Sequence, residues 1–310
     1  MDGLACGMLL KEIGVIDRVS FAYPRDIETG KIEINAANIT AGLPYRKEAH
    51  LAFDHYPGTS ADSDIRGNLI TDKRMPSTSR VIYNHYGRDK FSRISPDMLD
   101  AVDKGYSAKI TSDEILYPGG WILFGYLIDQ RTGLERFGRF SMSNEEIVAM
   151  LVDGYRERTI WEILSLPAME ERLAVYFSNV DQYKGQILRC ASVYYNLVVF
   201  DMRMESKIFP GNRFMVYALF PECNVSLQVI SDPKNDKVVF VAGKSVLDRS
   251  YSGDIGSIMR KYGGGGHSAA GTCQTEKDKA DGVLENLINE LQYSTLRNLV
   301  EGYFNYYYHD

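Results

Sequence analysis

Four consecutive glycines followed at once by a histidine constrain this 310-residue chain more than any other stretch; they are Gly263, Gly264, Gly265, Gly266 and His267. Without Cβ atoms, glycines readily adopt positive φ and let another group approach the backbone closely. Their N–H groups can therefore converge on an anion. The small residues after the histidine could open a helix, whose N-terminus would also attract negative charge. The run predicts an anion-binding loop; a surface loop between a strand and a helix is the alternative.

Size and charge limit what the chain can be. Its length fits two domains with cores of their own. A net charge of −6 gives no global attraction for polyanions, which argues against extensive nonspecific binding to duplex nucleic acid and requires any phosphate contact to be local. The four cysteines are far apart and form no C-x-x-C pair, which indicates free thiols in a cytoplasmic protein. No apolar run has membrane-spanning length, so we expect no membrane association.

The first half of the sequence is typical of an α/β domain. Ala49 to Phe53 predicts a short buried strand that delivers Asp54 and His55 to a loop at its carboxyl end, where open α/β sheets bind ligands. Asp2-Gly3 precedes an apolar helix without a strand before it, so we expect the natural gene product to begin further upstream. Further strands are predicted at Val19–Pro24 and Lys31–Asn35. Helices are predicted at Ser77–Tyr86, Pro96–Lys104 and Ser143–Asp153. The last helix begins with a capping box formed by Ser143 and Glu146.

The second half changes to short apolar runs separated by turn residues, which predict strands. These runs are Ile187–Cys190, Leu197–Phe200, Met215–Leu219, Val225–Val229 and Val238–Ala242. The predicted fold is α/β, with a parallel-sheet N-terminal domain and a smaller mixed-sheet C-terminal domain. The predicted boundaries are residues 1–165, a connecting helix over 166–185, a second domain over 186–295 and an aromatic tail over 296–310.

The Asp-Gly pair at a helix start and the Asp-His pair after a buried strand are the candidate chemical groups of the first half. Carboxylates with an imidazole at strand ends suit Mn²⁺ or Mg²⁺, which could activate water for attack on phosphorus. Each pair has an ordinary alternative, because Asp-Gly is commonly a turn and Asp-His on a loop is commonly solvated.

Together with the glycine run, these pairs resemble the DHH phosphoesterase superfamily with its C-terminal DHH-associated domain, most closely the exopolyphosphatase-related and oligoribonuclease-like branch. The resemblance covers nearly the whole chain, and the segment Gly263 to Gly271 matches the G-G-G-H motif of the second domain best. It implies a divalent-metal-dependent phosphohydrolase in which the first domain binds the metals and the second binds the phosphate.

The resemblance assigns metal-site roles to three residues. Asp2 matches the second aspartate of the D-x-D-G motif, whose first aspartate is absent, and Asp54-His55 matches the start of D-H-H. Asp2 and His55 would be metal ligands, and Asp54 and His55 would carry catalysis.

Other metal motifs depart from the family pattern. Asn38 stands where the family has a bridging aspartate, Tyr56 replaces the second histidine, and Tyr106 replaces a fourth-motif aspartate. Asp103 would lie a helical turn from Tyr106 and face elsewhere. Replacing carboxylates with neutral groups weakens the binding of hard cations. Two aspartates of the following loop could substitute, or could belong to a solvated turn: Asp62 and Asp64.

The phosphate-binding motifs of the second domain show no such departure. The four glycines can cradle a phosphate with backbone amides, and His267 can donate a hydrogen bond to it. Arg203 and Arg213 are candidate phosphate partners because guanidinium offers a planar fork, with surface salt bridges as the alternative. Lys244 is a weaker candidate.

Two classes of function follow. One is a Mn²⁺- or Mg²⁺-dependent hydrolase of a phosphorylated small molecule, a short oligonucleotide or polyphosphate. The other is a non-catalytic relative that binds a nucleotide or short single-stranded nucleic acid through the glycine run. The altered ligands favour weak or lost hydrolysis, and a homodimer is an open alternative.

Overall fold

The computed structural model describes residues 1–55, 67–107, 109–154, 158–232 and 234–292. Its chain forms two compact units. The first comprises Met1–Lys109, Gly119–Asp129 and Gly138–Ala174; the second comprises Ile110–Pro118, Gln130–Phe137 and Val175–Asp310, described as far as residue 292.

Twelve α-helices lie in the described residues. They are α1 (Asp2–Glu12), α2 (Pro24–Glu28), α3 (Thr78–Tyr86), α4 (Pro96–Ser107), α5 (Ser112–Leu116), α6 (Gly120–Ile128), α7 (Asn144–Gly154), α8 (Ile160–Leu164), α9 (Pro167–Cys190), α10 (Met215–Leu219), α11 (Ile255–Arg260) and α12 (280–292). The last passage of the chain from the first unit to the second lies within α9. No helix of the described residues is both long and apolar enough to cross a membrane.

The first unit contains a three-stranded parallel sheet. Its strands are β1 (Ile39–Ala41), β2 (Leu51–Asp54) and β3 (Leu69–Thr71), with β2 in the middle. Because all three strands are parallel, their carboxyl ends lie at one edge of the sheet. The predicted strand before Asp54 is confirmed.

Two other strand predictions in this unit are wrong. Pro24 begins α2 instead of ending a strand, since proline is favoured in the first turn of a helix. Residues 31–35 form no strand. At the end of this segment Asn38 Oδ1 accepts from Asn35 N at 2.9 Å, and Asn35 Oδ1 accepts from Ala37 N at 2.9 Å. Such local side-chain bonds give the backbone an alternative to a sheet ladder.

Helices of the first unit pack against one another, α1 with α3 and α7, and α4 with α6, and bury apolar side chains. The fully buried side chains include Leu9, Ile82, Phe124, Ile147 and Leu151. The helix starts follow the sequence closely. Ser77 is the N-cap of α3 and accepts a hydrogen bond from Arg80 N, and the predicted Ser143/Glu146 capping box is present with both bonds.

The second unit contains a six-stranded mixed sheet. Its strands are β4 (Ala191–Tyr194), β5 (Leu197–Asp201), β6 (Val225–Asp232), β7 (Lys237–Lys244), β8 (Gly265–His267) and β9 (Ala270–Glu276), in the order β4-β5-β6-β7-β9-β8. Only the β5–β6 pair is parallel. The side chains of β5, β6, β7 and β9 pack with α11 and α12 into one core.

Two predicted strands of this unit are helical. Ile187–Cys190 forms the last turn of α9, and Met215–Leu219 forms α10. Short apolar runs fit a buried helix as well as a strand, so their sequence alone does not separate the two. The predicted fold class, a parallel-sheet unit and a separate mixed-sheet unit, is confirmed.

The glycine run belongs to the β8–β9 hairpin, so the prediction of a loop leading into a helix is wrong. Close backbone approach explains why glycine is required. A Cβ on Gly264 would lie 2.0 Å from the Thr272 carbonyl oxygen. A Cβ on Gly266, which has φ +149°, would lie 2.3 Å from the carbonyl oxygen of Ala270. Gly265 has nothing within 4 Å of the position of its absent Cβ.

Candidate functional site

The Asp-His pair lies where the sequence predicts it, at the carboxyl end of the central strand β2. Asp54 is the last residue of β2, and His55 follows it. Asp54 Oδ1 lies 3.7 Å from His55 Nδ1, and the side chains are 19% and 20% exposed. The same Nδ1 lies 2.9 Å from Thr78 Oγ1 of α3. Both groups are partly buried yet remain accessible from solvent.

Asp2 lies at the start of α1 with its carboxylate against the start of α3. Asp2 Oδ2 accepts from Thr78 N at 3.0 Å, and Asp2 Oδ1 accepts from Ser79 N at 2.9 Å. These donors belong to the first turn of the helix, where amides have no intrahelical partner and the helix dipole favours negative charge. Asp2 is only 6% exposed. Its carboxylate therefore stabilises α3 directly, and Thr78 contacts both Asp2 and His55.

A buried thiol also contacts Asp2. Cys6, one turn along α1, donates from Sγ to Asp2 Oδ1 at 3.8 Å. Burial raises the pKa of Cys6 well above its ordinary value, and the negative charge of Asp2 raises it further. The thiol therefore stays protonated and offers Asp2 a neutral donor instead of a competing anion.

The Asp103 carboxylate is engaged at the start of α3. It accepts from Ser77 Oγ at 2.6 Å and from Arg80 Nε at 2.7 Å. Arg80 also pairs with Asp100 at 2.9 Å. Asp103 thus holds the start of α3 and is paired with a cation.

Sequence reasoning missed the buried hydroxyl run at the start of α3: Ser77, Thr78 and Ser79 are each fully buried. The sequence predicts Ser77 only as the first residue of a helix. The available signal was three consecutive hydroxyl residues at a helix N-terminus in a chain with carboxylates at neighbouring strand and helix ends.

The carboxylate and imidazole groups at Asp54 and His55 are ligand types that suit a hard divalent cation. Their arrangement in the described residues does not complete a two-metal centre. Among these residues, no three of His, Cys, Asp and Glu lie close enough together to hold a metal ion. Asn38 lies in the turn before β1. Its side-chain Oδ1 accepts from Asn35 N, and its backbone carbonyl accepts from His50 N. Three positions with predicted roles, Tyr56, Asp62 and Asp64, and the side chain of Tyr106 lie outside the described part.

The glycine hairpin of the second unit uses its first two amides internally. Gly263 N donates to Arg260 O at 3.1 Å, and Gly264 N donates to Met259 O at 3.0 Å. These bonds end α11, and Gly265, Gly266 and His267 then form β8, which pairs with β9. Arg260 Nη1 donates to Gly266 O at 3.4 Å, which brings a cation beside this part of the hairpin.

His267 has a defined proton arrangement. Its Nδ1 accepts a hydrogen bond from Ala269 N at 3.2 Å. A backbone N–H can only donate, so in the neutral ring the proton is on Nε2. The side chain is exposed. His267 can therefore donate from Nε2 to an oxyanion, which is the role predicted for it.

The two candidate arginines of the second unit have different surroundings. Arg203 binds Asp201 through Nε at 3.0 Å and Nη2 at 2.7 Å, and binds Asp281 through Nη1 at 2.7 Å. The Arg213 guanidinium stacks on the ring of Phe214, 4.5 Å from its centroid. Lys244 Nζ lies 5.6 Å from the centroid of Tyr251. Arg203 therefore has two carboxylates as partners, as the salt-bridge alternative expects.

Comparison with known proteins gave no match among protein-family models or curated proteins. Among solved structures, the chain is similar to the pGpG-specific phosphodiesterase PggH from Vibrio cholerae. The two are 42% identical over 94% of this chain and 96% of that chain, with a TM-score of 0.83. An exopolyphosphatase-related protein from Bacteroides fragilis is 14% identical over 93% of this chain and 81% of that chain, with a TM-score of 0.43. That second similarity is too weak to bear on function.

Proposed function

The chain belongs to the DHH phosphoesterase superfamily, and from that premise we propose that it hydrolyses the internal phosphodiester of pGpG or a similarly short, 5′-phosphorylated oligonucleotide. The observation that carries this proposal is the 42% identity to a pGpG-specific phosphodiesterase across 94% of the chain. An identity that extends through both units favours a shared reaction class and not only a shared fold. Hydrolysis of pGpG would add one water and release two molecules of guanosine monophosphate.

The charge of the chain supports a short substrate. A net charge of −6 repels a long polyanion, so binding depends on a few local donors. His267 supplies one through Nε2, and Gly265, which has nothing within 4 Å of the position of its absent Cβ, leaves room for a phosphate beside the backbone. Arg213 adds a guanidinium in the same unit. These groups suit a terminal phosphate of a dinucleotide better than an extended strand.

Asp54 and His55 are the proposed catalytic pair. They adjoin each other at the carboxyl end of β2 and remain partly exposed. Whether Mn²⁺ or Mg²⁺ assists them is a separate part of the proposal, because the described donors do not complete a metal centre. A cytoplasmic location belongs to the same proposal and agrees with four free cysteines.

A second candidate function is binding of the same ligand without turnover. The observation in its favour is the engagement of Asp2, the predicted metal ligand, with two backbone amides in a position that is 6% exposed. A carboxylate committed to a helix N-terminus is less available to a cation.

The deciding experiment measures release of guanosine monophosphate from pGpG by chromatography, in Mn²⁺, in Mg²⁺ and in chelator, alongside calorimetric binding of pGpG. We expect turnover that is lost in His55→Ala and binding that is weakened in His267→Ala. His50→Ala is the matched control, because His50 is exposed and, among the described residues, it bonds through its backbone N to Asn38 O. Binding without turnover in all three conditions supports the second candidate. The absence of both binding and turnover would contradict both candidate functions.

A further inference from the structure

Thr78 is the residue that connects the two predicted metal-site groups of the first unit. It is fully buried at the first position of α3. Its side-chain Oγ1 lies 2.9 Å from His55 Nδ1, while its backbone N donates to Asp2 Oδ2 at 3.0 Å. The side chain and the backbone of one residue therefore hold two different groups, so the two contacts can be separated by mutation.

The surroundings of His55 Nδ1 favour one of the two ring tautomers. Nδ1 faces Thr78 Oγ1 at 2.9 Å and Asp54 Oδ1 at 3.7 Å. A proton on Nδ1 donates to the threonine oxygen and is attracted by the carboxylate. In the opposite tautomer, the Nδ1 lone pair would face the negative carboxylate. The geometry favours Nδ1–H, which leaves the lone pair on Nε2.

The Thr78 hydroxyl is itself held in place. Gly42, which follows β1 at φ +64°, has its backbone against Thr78, and a Cβ there would lie 3.4 Å from Thr78 Oγ1. A β-branched residue in a helix has one or two preferred side-chain rotamers. Full burial further limits movement of the hydroxyl away from the imidazole.

We propose that Thr78 is a positioning residue that, with Asp54, fixes His55 in the Nδ1–H tautomer so that Nε2 presents its lone pair for the reaction. The role rests on the proposed phosphodiesterase function. An Nε2 lone pair can take a proton or bind a cation, and either use requires this tautomer. His267 is held in the opposite tautomer by Ala269 N, so the two histidines are prepared for opposite tasks, accepting and donating.

Thr78→Val tests the role, because valine keeps the shape and the backbone N–H to Asp2 but lacks the hydroxyl. We expect kcat for pGpG to fall about 10- to 100-fold with KM little changed, as when the hydrogen-bond partner of an active-site imidazole is removed. Thr78→Ser restores the hydroxyl and should recover most of kcat. Thr40→Val is the matched control. Thr40 is a buried threonine of β1 whose Oγ1 has no hydrogen-bond partner within the described residues.

A second readout does not depend on turnover. Nitrogen-15 NMR of histidine-labelled protein at about pH 8, where an ordinary imidazole is neutral, reports the tautomer, and His55→Ala identifies the signal. We expect Nδ1–H for His55 in the native protein and in Thr78→Ser, and a shift toward Nε2–H in Thr78→Val. A native His55 in the Nε2–H form, or an unchanged tautomer in Thr78→Val, would overturn the proposal. If pGpG is not hydrolysed at all, the proposed function fails, and the NMR result still decides the role of Thr78.

Discussion

Arg80 and Asp103 are joined twice through one oxygen: Arg80 Nε lies 2.7 Å and Arg80 Nη2 lies 2.6 Å from Asp103 Oδ2. The other oxygen, Asp103 Oδ1, accepts from Ser77 Oγ at 2.6 Å. One carboxylate of α4 therefore fixes both the cap and the first turn of α3. Because that turn also contacts Asp2 and His55, the geometry of the candidate site depends on an ion pair outside it.

Asp103→Asn should lower the free energy of unfolding by about 1–3 kcal/mol, because it leaves the partly buried Arg80 with a weaker, neutral partner. The Arg80 and Asp103 side chains are only 21% and 17% exposed. Urea denaturation followed by circular dichroism measures the loss. Asp100→Asn is the control, since the Asp100 side chain is 66% exposed and its pair with Arg80 should contribute less than about 1 kcal/mol. Equal losses in the two variants would contradict this assignment.

Gly264→Ala and Gly265→Ala should differ sharply although they are neighbours. A Cβ at Gly264 meets the Thr272 carbonyl at 2.0 Å, so β8 and β9 must move apart, at a cost of about 1–3 kcal/mol or more. A Cβ at Gly265 meets nothing within 4 Å, and the change should cost less than about 1 kcal/mol. Urea denaturation measures both. Similar stabilities for the two variants would show that the hairpin is not closely packed at Gly264.

Gly265→Ala then separates packing from ligand binding. This variant should leave the hairpin intact. A loss of its affinity for pGpG would therefore show a disturbed contact between residue 265 and the phosphate, and not unfolding. An affinity equal to that of the native protein would count against a phosphate contact at Gly265.

The glycine run and the α3 start show what the sequence can and cannot predict here. The Ser143/Glu146 capping box, the strand before Asp54 and the two-unit α/β organisation follow from local patterns, and the structure confirms them. The β8–β9 hairpin does not follow, because the need for glycine at Gly264 and Gly266 arises from Thr272 and Ala270 on β9. The roles of Thr78 and Asp103 are equally non-local, since Thr78 lies 76 residues from Asp2 and Asp103 lies 26 from Ser77.

Arg203→Lys should destabilise the second unit while leaving pGpG affinity unchanged. Lysine cannot reproduce the fork that Arg203 makes with Asp201 or its simultaneous bond to Asp281. The expected loss is about 1 kcal/mol, since Arg203 is partly exposed. Arg213→Lys is the comparison, because its guanidinium stacks on Phe214 and is proposed to contact the ligand. Calorimetry with pGpG measures the affinity of both variants. A loss of affinity confined to Arg203→Lys would show that Arg203, and not Arg213, contacts the ligand.

Acid should weaken the second unit through Glu205. Its carboxylate accepts from Arg189 Nη2 at 2.7 Å and Gln186 Nε2 at 2.6 Å, and these bonds, Arg189 first, lower the pKa of Glu205 to about 2. Because the folded-state pKa lies below the ordinary value of 4.5, the stabilisation is present above about pH 4.5 and is lost as pH falls toward 2. Urea midpoints of the native protein and of Glu205→Gln should therefore differ at neutral pH and converge toward pH 2. Arg189→Gln removes the main cause of the shift, so its Glu205-linked loss of stability should be smaller and should be complete at a higher pH than in the native protein. A gap between native and Glu205→Gln midpoints that stays constant down to about pH 2 would contradict a titrating Glu205.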